Sequence, residues 1–390
     1  VGQREVEQLL PIAPAAQRNR PEVAGLLALD RDYGGLRVGL SGSTPLWRWG
    51  LSAELEALRD QRLGWENFSG TTLGVRGLLK RDESFAATTQ GLTLEWGRAL
   101  ATDWMLDGGL RWSRQSVDIR LLTLPESNRS LTGYTGFAGL RWMPEGLGRW
   151  QLAVGRGLET PTQTELLNRP GGEAGLNTLD APVSRQVELS WQQRFDDWRA
   201  QAQLYRIDTR DDLVVVENLG GRAVFGNAAG TRREGLELSL DWRPDPAWRF
   251  GLSGTLARAR YTRAVPDCPG GCVDGSLRLR AGDELPASPR QQFLGSLHWQ
   301  PSAWSVSAQW LHRGALVVDD RRQLRTPSLQ RLDLELGWSA PGRPLRIGLR
   351  VQDVFDRGGV AGVAVNDAAG RYFDPAPGRR VFFSLSGRLP

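Results

Sequence analysis

Tryptophans come in pairs along this chain, and each pair brackets a short polar turn. Trp96 and Trp104 flank Gly97 to Asp103, and Trp142 and Trp150 flank Met143 to Arg149. Trp191 and Trp198 enclose Gln192 to Asp197, Trp242 and Trp248 enclose Arg243 to Ala247, and Trp299 and Trp304 enclose Gln300 to Ala303. The indole is amphipathic and settles where lipid headgroups meet hydrocarbon. Along one rim of a transmembrane β-barrel such residues form a girdle. Core tryptophans that happen to lie beside hairpin turns account for one or two pairs, not for this series. The arrangement points to a sheet that crosses a bilayer.

Strand periodicity agrees. Val187, Leu189, Trp191 and Phe195 share one face, and Gln186, Glu188, Ser190, Gln192 and Arg194 share the other. Leu236, Leu238, Leu240 and Trp242 alternate with Glu237, Ser239, Asp241 and Arg243. The same holds for Leu332 to Ser339 and for Leu345 to Gln352. A period of two places the two sets on opposite sides of a sheet, and charge in mid-strand requires a wet interior. No run of some eighteen apolar residues occurs, which excludes a helical membrane protein. Mean hydropathy is only -0.38, as fits strands that are half polar. The 47 glycines and 22 prolines suit a chain with many turns.

Those turns fall into two classes. Short ones are Ser43 to Leu46, Gly97 to Asp103, Pro144 to Arg149, Asp196-Asp197, Pro244 to Ala247, Pro301 to Ala303 and Ala340 to Arg343. Long polar loops are Arg59 to Glu83, Leu121 to Leu131, Leu158 to Pro182, Glu217 to Gly230, Arg263 to Pro286, Ala315 to Pro327 and Phe355 to Pro377. Short periplasmic turns and long extracellular loops are the outer-membrane pattern, and the tryptophan pairs lie on the short-turn side. We expect residues 1–22 to be a polar lead-in and residues 23–390 an all-β, antiparallel transmembrane barrel of about sixteen strands of ~10 residues each. A β-propeller is disfavoured, because its blades use four short strands per repeat where this chain has two long ones.

Net charge is +5, and Lys80 is the only lysine. The arginines are interspersed with acids rather than gathered on one face, so a nucleic-acid partner is not expected. Cys268 and Cys272 enclose Pro-Gly-Gly with no histidine or second cysteine motif nearby. A short loop disulfide in an oxidising compartment is the favoured reading over two free thiols, and a zinc site is not expected. The two histidines, His298 and His312, lack the ordered partners of a nucleophilic triad, so we expect no enzyme and no cofactor. Val1-Gly-Gln-Arg-Glu has neither a start methionine nor a basic-then-apolar leader, which suggests a mature, truncated or partial chain.

Four segments resemble the C-terminal barrel of TonB-dependent outer-membrane receptors. Gly155-Arg-Gly-Leu-Glu-Thr-Pro-Thr-Gln-Thr-Glu-Leu166 is similar to the family's approach to a long mid-barrel loop. Asn227-Ala-Ala-Gly-Thr-Arg-Arg-Glu-Gly-Leu-Glu-Leu238 resembles its descent from a loop into a strand. Gln352-Asp-Val-Phe-Asp356 resembles its near-terminal segment, where asparagine usually stands at the position of Asp353. Tyr372-Phe-Asp-Pro-Ala-Pro-Gly-Arg379 and Val381 to Leu389 resemble its last loop and last strand, although the chain ends on Pro390 rather than on an aromatic. The resemblance covers nearly the whole chain but includes neither the family's plug domain nor its earliest strands.

The resemblance implies a receptor in the outer membrane of a Gram-negative bacterium, monomeric and surrounded by outer-membrane lipid. It would import an iron-siderophore or similar bulky anionic ligand, a quinone-type redox cofactor included. It would be energised by the TonB complex through the missing plug. By the same resemblance the ligand-binding candidates are Arg156, Thr160 and Gln163, then Asn218, Arg222 and Phe225, then Asn366, Arg371 and Tyr372. Arginine and amide donors suit an anion, and an aromatic face suits its flat part. The alternative is a porin-like passive channel made by sixteen strands closing on themselves.

Overall fold

The computed structural model describes residues 1–10, 12–19, 24–121, 124–167, 177–219, 222–228, 230–263, 279–320, 323–342 and 344–387. Sixteen antiparallel strands form one sheet in chain order. The first six are β1 (Gly2–Leu9), β2 (Leu26–Ser43), β3 (Trp47–Trp65), β4 (Leu79–Ala101), β5 (Trp104–Leu121) and β6 (Leu124–Trp142). Next come β7 (Arg149–Leu158), β8 (Val183–Arg194), β9 (Trp198–Arg210), β10 (Thr231–Trp242) and β11 (Trp248–Tyr261). The last are β12 (Gln291–Trp299), β13 (Trp304–Arg313), β14 (Leu329–Ser339), β15 (Leu345–Gln352) and β16 (Arg380–Gly387). Two one-turn helices, α1 (Pro14–Arg18) and α2 (Gln163–Leu167), lie in long loops.

The expected lead-in is in part a strand. Residues Gly2 to Leu9 pair with Tyr33 to Leu26, so β1 is an edge of the sheet, and fifteen strands rather than sixteen follow it. It contacts only the end of β2 nearest the long loops, where no lipid demands an apolar face, so its sequence carries no alternation. Two expected loops are also shorter than the sequence suggested. β3 and β4 continue to Trp65 and from Leu79, leaving a connection over residues 66–78, and β6 begins at Leu124.

The tryptophans form the expected rim. Trp49 pairs with Trp96, and Trp104, Trp142, Trp150 and Trp191 are successive cross-strand partners. Trp198 pairs with Trp242, Trp248 with Trp299, and Trp304 with Trp338. The face they share is the outer one. Leu238 and Leu240 lie on it and are exposed, whereas Glu237 and Ser239 line the interior together with Gln201, Gln203 and Ser253.

β2 to β6 are 18 to 23 residues long, well beyond the ~9–11 residues that a tilted strand needs to cross a bilayer. Along them the apolar face changes side. In β5, Trp104, Leu106, Leu110 and Trp112 point outward, and are followed on that face by Arg114, Ser116, Asp118 and Arg120. On the inner face Asp107, Arg111, Ser113 and Gln115 give way to Val117, Ile119 and Leu121. β4 repeats this, with Trp96, Leu94 and Leu92 outward near the short turns and Phe85 and Ala87 inward near the long loops. The inner apolar patch of Phe85, Ala87, Val117 and Ile119 is covered by Leu166 and Leu167 of α2. β2 to β6 thus extend beyond the outward apolar band as a wall whose dry side faces inward.

The loops at that rim reach across to one another. Asn366, after β15, hydrogen-bonds Val215, after β9, at 2.6 Å, which requires the sheet to curl as a barrel wall does. Among the described residues no ladder joins β1 to β16.

Candidate functional site

The long-loop rim contains a cap built from hydrogen-bonded loops. α2 begins with a capping box: Thr162 N donates to Glu165 Oε2 at 2.6 Å, and Glu165 N lies 3.4 Å from Thr162 Oγ1. Its leucines are buried against the wall, so the Thr160 to Leu166 segment serves first as the plate over the inner apolar patch. Thr160 is half-buried beside it, and Gln163 is buried with its Nε2 unbonded. The next loop forms a ribbon, Asp212–Leu219 paired with Arg222–Ala228. Asn227 ties it to the α2 loop, accepting from Asp180 N at 2.8 Å and donating to Asp180 O at 2.9 Å and to Asp211 O at 2.6 Å.

Asn366 is the junction of three loops. Its N–H donates to Val318 O at 2.9 Å, and its carbonyl accepts from Asn218 N at 2.9 Å. Its side chain donates to Val215 O at 2.6 Å and accepts from Asp320 N at 3.1 Å. The residue sits at φ +54, a left-handed conformation that asparagine tolerates better than most. Around it Tyr372 OH donates to Asp319 Oδ2 at 2.8 Å, and Tyr261 OH to Asp320 Oδ2 at 3.0 Å. Tyr261 is fully buried with Ala228 and Leu285, and this burial, reinforced by Asp320, raises its hydroxyl far above the ordinary tyrosine value. A neutral phenol therefore donates to a carboxylate at the base of the cap.

The structure thus brings Asn218, Phe225, Asn366 and Tyr372 into one loop cluster. Asn218 and Asn366 are buried within it, and Phe225 offers its carbonyl to Asn177 Nδ2 at 2.7 Å. Arg371 is exposed at its edge, its N–H donating to Asp367 Oδ1 at 3.0 Å. Arg222 belongs to the ribbon, but its side chain lies outside the described residues, as do Cys268 and Cys272 with their expected disulfide. Arg156 is elsewhere. It shares the outer face with Trp150 and Val154, lies over the Tyr134 ring at 4.0 Å and donates to Tyr134 O. Its expected place at the ligand loops is corrected by the strand period: it lies two positions along from Val154 and so shares that residue's outward face.

Below the cap, the inner wall of β8 to β12 carries neutral polar groups at Ser190, Gln192, Gln201, Gln203, Ser239, Ser253, Thr255 and Gln292, around an open cavity of about 650 Å³. Glu237 and Arg149 also line it, and ion pairs line the inner wall of β3 to β6: Arg111 with Glu54, and Arg141 with Asp107 at 3.2 Å. His298 Nδ1 lies 2.9 Å from Ser307 Oγ, while His312 packs on the outer face beside Trp310 and Phe293, so the two imidazoles are not part of one site. Asn227 and the carboxylates Asp319 and Asp320 were not legible in the sequence as parts of the cap. An asparagine at a loop-to-strand junction was the one available signal.

Residues 14–354 match the sequence profile described as "TonB dependent receptor-like, beta-barrel". The chain belongs to the TonB-dependent receptor β-barrel family. The pesticin receptor of Yersinia enterocolitica is 25% identical over 190 residues, which is 47% of this chain and 26% of the relative. The Yersinia pestis pesticin receptor is 24% identical over the same length. Among solved structures, the copper transporter OprC aligns with a TM-score of 0.72 at 16% identity, covering 92% of this chain and 57% of its own. The ferric yersiniabactin uptake receptor FyuA of Yersinia pestis aligns at 0.66 and 19% identity, covering 91% and 53%. At these identities the solved structures establish the fold. This receptor barrel spans a little over half of those chains and about a quarter of its pesticin-receptor relatives.

Proposed function

We propose that this chain is the barrel of a Gram-negative outer-membrane receptor that imports a ferric siderophore or a similarly bulky anionic ligand. Energy would come from the TonB complex through a plug domain seated in the lumen. The observation that carries this reading is the cap: loops after β7, β9, β11, β13 and β15 are laced by buried hydrogen bonds above a polar lumen. A passive pore gains nothing from ordering so much loop, which costs about 1–2 kcal/mol of backbone entropy per residue. A structural neighbour named for uptake of ferric yersiniabactin supports the same ligand class.

Within the cap, Gln163 with its free amide, Arg371 at the exposed edge, and Thr160, Phe225 and Tyr372 are the groups proposed to meet ligand. Arg222 is kept with them from sequence alone. Asn218 and Asn366 support them from within, because the Asn366 side chain and the main chain of both are engaged by other loops.

The test is growth on ferric siderophores as sole iron source in a receptor-null strain, with and without TonB. The complete receptor carrying this barrel should restore growth on one siderophore class only when TonB is present. This chain behind a signal peptide should not. TonB-independent growth from either would contradict the reading.

A further inference from the structure

The lumen wall below the cap carries a pattern that an anionic ligand alone does not explain. On the inner face Ser190, Gln203, Glu237, Thr255 and Gln292 are successive cross-strand partners from β8 to β12. Gln201, Ser239 and Ser253 repeat the pattern one row nearer the short turns. Neighbouring strands lie ~4.8 Å apart, so the two rows set side-chain amides and hydroxyls at that spacing along the cavity of about 650 Å³. Among the described residues no hydrogen bond within the protein engages the side chain of any of these residues.

Charge separates this wall from that of β3 to β6, where Arg111 and Arg141 are paired with Glu54 and Asp107. Here Glu237, and Glu188 one row nearer the long loops, make no ion pair among the described residues. The cation lining the cavity, Arg149, is held at the short-turn end by Gln192 Oε1 at 2.6 Å. Two unpaired carboxylates without a free cation oppose an anion. Tyr205 lies beside them, two residues beyond Gln203 on the same face, with Glu188 and Gly235 as its cross-strand partners. A Cβ at Gly235 would fall 2.7 Å from the Tyr205 hydroxyl oxygen and 2.9 Å from its Cζ, so the ring lies over Gly235 along the wall. Its hydroxyl has no hydrogen-bond partner among the described residues.

Rows of groups that donate and accept, next to an aromatic ring laid along the wall, match one chemistry. A sugar ring presents hydroxyls around its edge, each both a donor and an acceptor, and C–H groups on its face. Amides, hydroxyls and free carboxylates complement the edge, and an aromatic ring covers the face. We infer that the inner wall of β8 to β12 binds a neutral saccharide chain laid across the strands, with Tyr205 stacked on one ring. The imported molecule then carries a neutral, hydroxyl-rich portion besides its anionic group. The inference rests on the import reading for the passage of that molecule through the lumen, and its test reads binding, not uptake.

Saturation-transfer NMR on the complete receptor, in a detergent without a sugar headgroup, reads the contact. The probes are maltopentaose and cellopentaose, which are neutral, and pentagalacturonate, which carries a carboxylate on every ring. Wild type should bind at least one neutral pentasaccharide and should bind pentagalacturonate more weakly, because Glu188 and Glu237 oppose its charges. The Q201A/Q203A variant should need at least about tenfold more of the neutral sugar for the same signal, as expected when two hydrogen-bonding side chains are lost. Resistance to SDS at room temperature confirms that each protein is folded. Absence of transfer to both neutral sugars from folded wild type would overturn the inference. So would equal or tighter binding of pentagalacturonate, or unchanged affinity in the folded variant. If the double variant does not fold, Thr255→Val on β11 takes its place, and affinity must again fall. TonB-dependent growth on a siderophore without saccharide binding defeats this inference alone. Saccharide binding without any TonB-dependent uptake defeats the import reading and leaves the chemistry of the wall standing.

Discussion

Within β5, the stretch from Trp104 to Trp112 and the stretch from Ser116 to Leu121 keep the same two-residue period and exchange faces. In the first, leucine and tryptophan point outward and Asp107 and Arg111 point into the lumen. In the second, Ser116, Asp118 and Arg120 point outward and Val117 and Ile119 point in. The backbone fixes the period, and the surroundings decide which face is apolar. We propose that lipid lies outside the first stretch and water inside it. Water lies outside the second, and α2 supplies the dry neighbour within. The exchange of faces therefore marks where the wall leaves the bilayer.

The largest expected effect is in the upper half. Ile119 is 2% exposed under α2, and Ile119→Ala should cost about 2–5 kcal/mol of local stability by leaving a cavity. Limited proteolysis of the Leu158 to Pro182 loop should show faster cleavage, with the urea midpoint of the transmembrane part nearly unchanged. Equal loosening of both halves would mean that they are not separate environments.

Next comes the lipid face. Leu110→Arg should cost about 2–4 kcal/mol in a bilayer folding titration, and Leu238→Arg the same. Ser116→Arg, also outward but above the exchange, should stay within about 0.5 kcal/mol, as should the lumen-facing Ser239→Arg. If Leu110→Arg and Ser116→Arg were equally tolerated, the boundary would not lie between them.

A smaller effect is expected in the cap. Asn366→Ala removes two side-chain hydrogen bonds from a buried junction and leaves Val215 O and Asp320 N without those partners, at about 1–3 kcal/mol. Hydrogen exchange should quicken in the loops after β9, β13 and β15 together, with β2 to β6 unaffected. Quickening confined to one loop would show that the junction does not couple them.

The smallest effect is one of pH. The Tyr261 hydroxyl is raised from 10.0 by burial first and by Asp320 second. A group whose folded pKa lies above its unfolded one contributes fully below the unfolded value, and the contribution falls as pH rises past it. The cap should keep the Tyr261 contribution up to about pH 10 and lose it above. A difference absorbance titration of wild type against Tyr261→Phe should show no phenolate from this residue near pH 10 in the folded protein. A normal titration there would place Tyr261 in contact with water.

The lower half of the fold was legible in the sequence. Paired tryptophans, alternation in β8, β10, β14 and β15, and short turns opposite long loops follow from lipid on one side and water on the other. The upper half was not, for a physical reason. Where the apolar face changes side, polar residues take the outward positions, and the far ends of β3, β4 and β6 (Arg59 to Trp65, Leu79 to Glu83 and Leu124 to Leu131) read as loop. β1 was missed because GQREVEQL needs no apolar face at a water-side edge. The nine ligand candidates fared unevenly. Asn218, Phe225, Asn366 and Tyr372 were placed in the cluster where the loops meet, yet composition could not reveal that Asn366 faces other loops rather than the mouth. Arg156 was legible in principle, since its period matches Val154. Asn227 opens the Asn227 to Leu238 segment, and its role, fastening two loops, appears only in three dimensions.

The central claim is that the exchange of faces in β5 is the outer boundary of the membrane. It is tested most directly by spin labels placed singly at Leu106, Leu110, Ser116 and Asp118, in a background with Cys268 and Cys272 replaced by serine, in the complete receptor in bilayers. Collision with oxygen reports lipid, and collision with a water-soluble nickel chelate reports water. Leu106 and Leu110 should favour oxygen, and Ser116 and Asp118 should favour the chelate, with the crossover between Leu110 and Ser116. Oxygen-dominated collisions at Ser116 and Asp118 would put the whole of β5 in lipid and contradict the account.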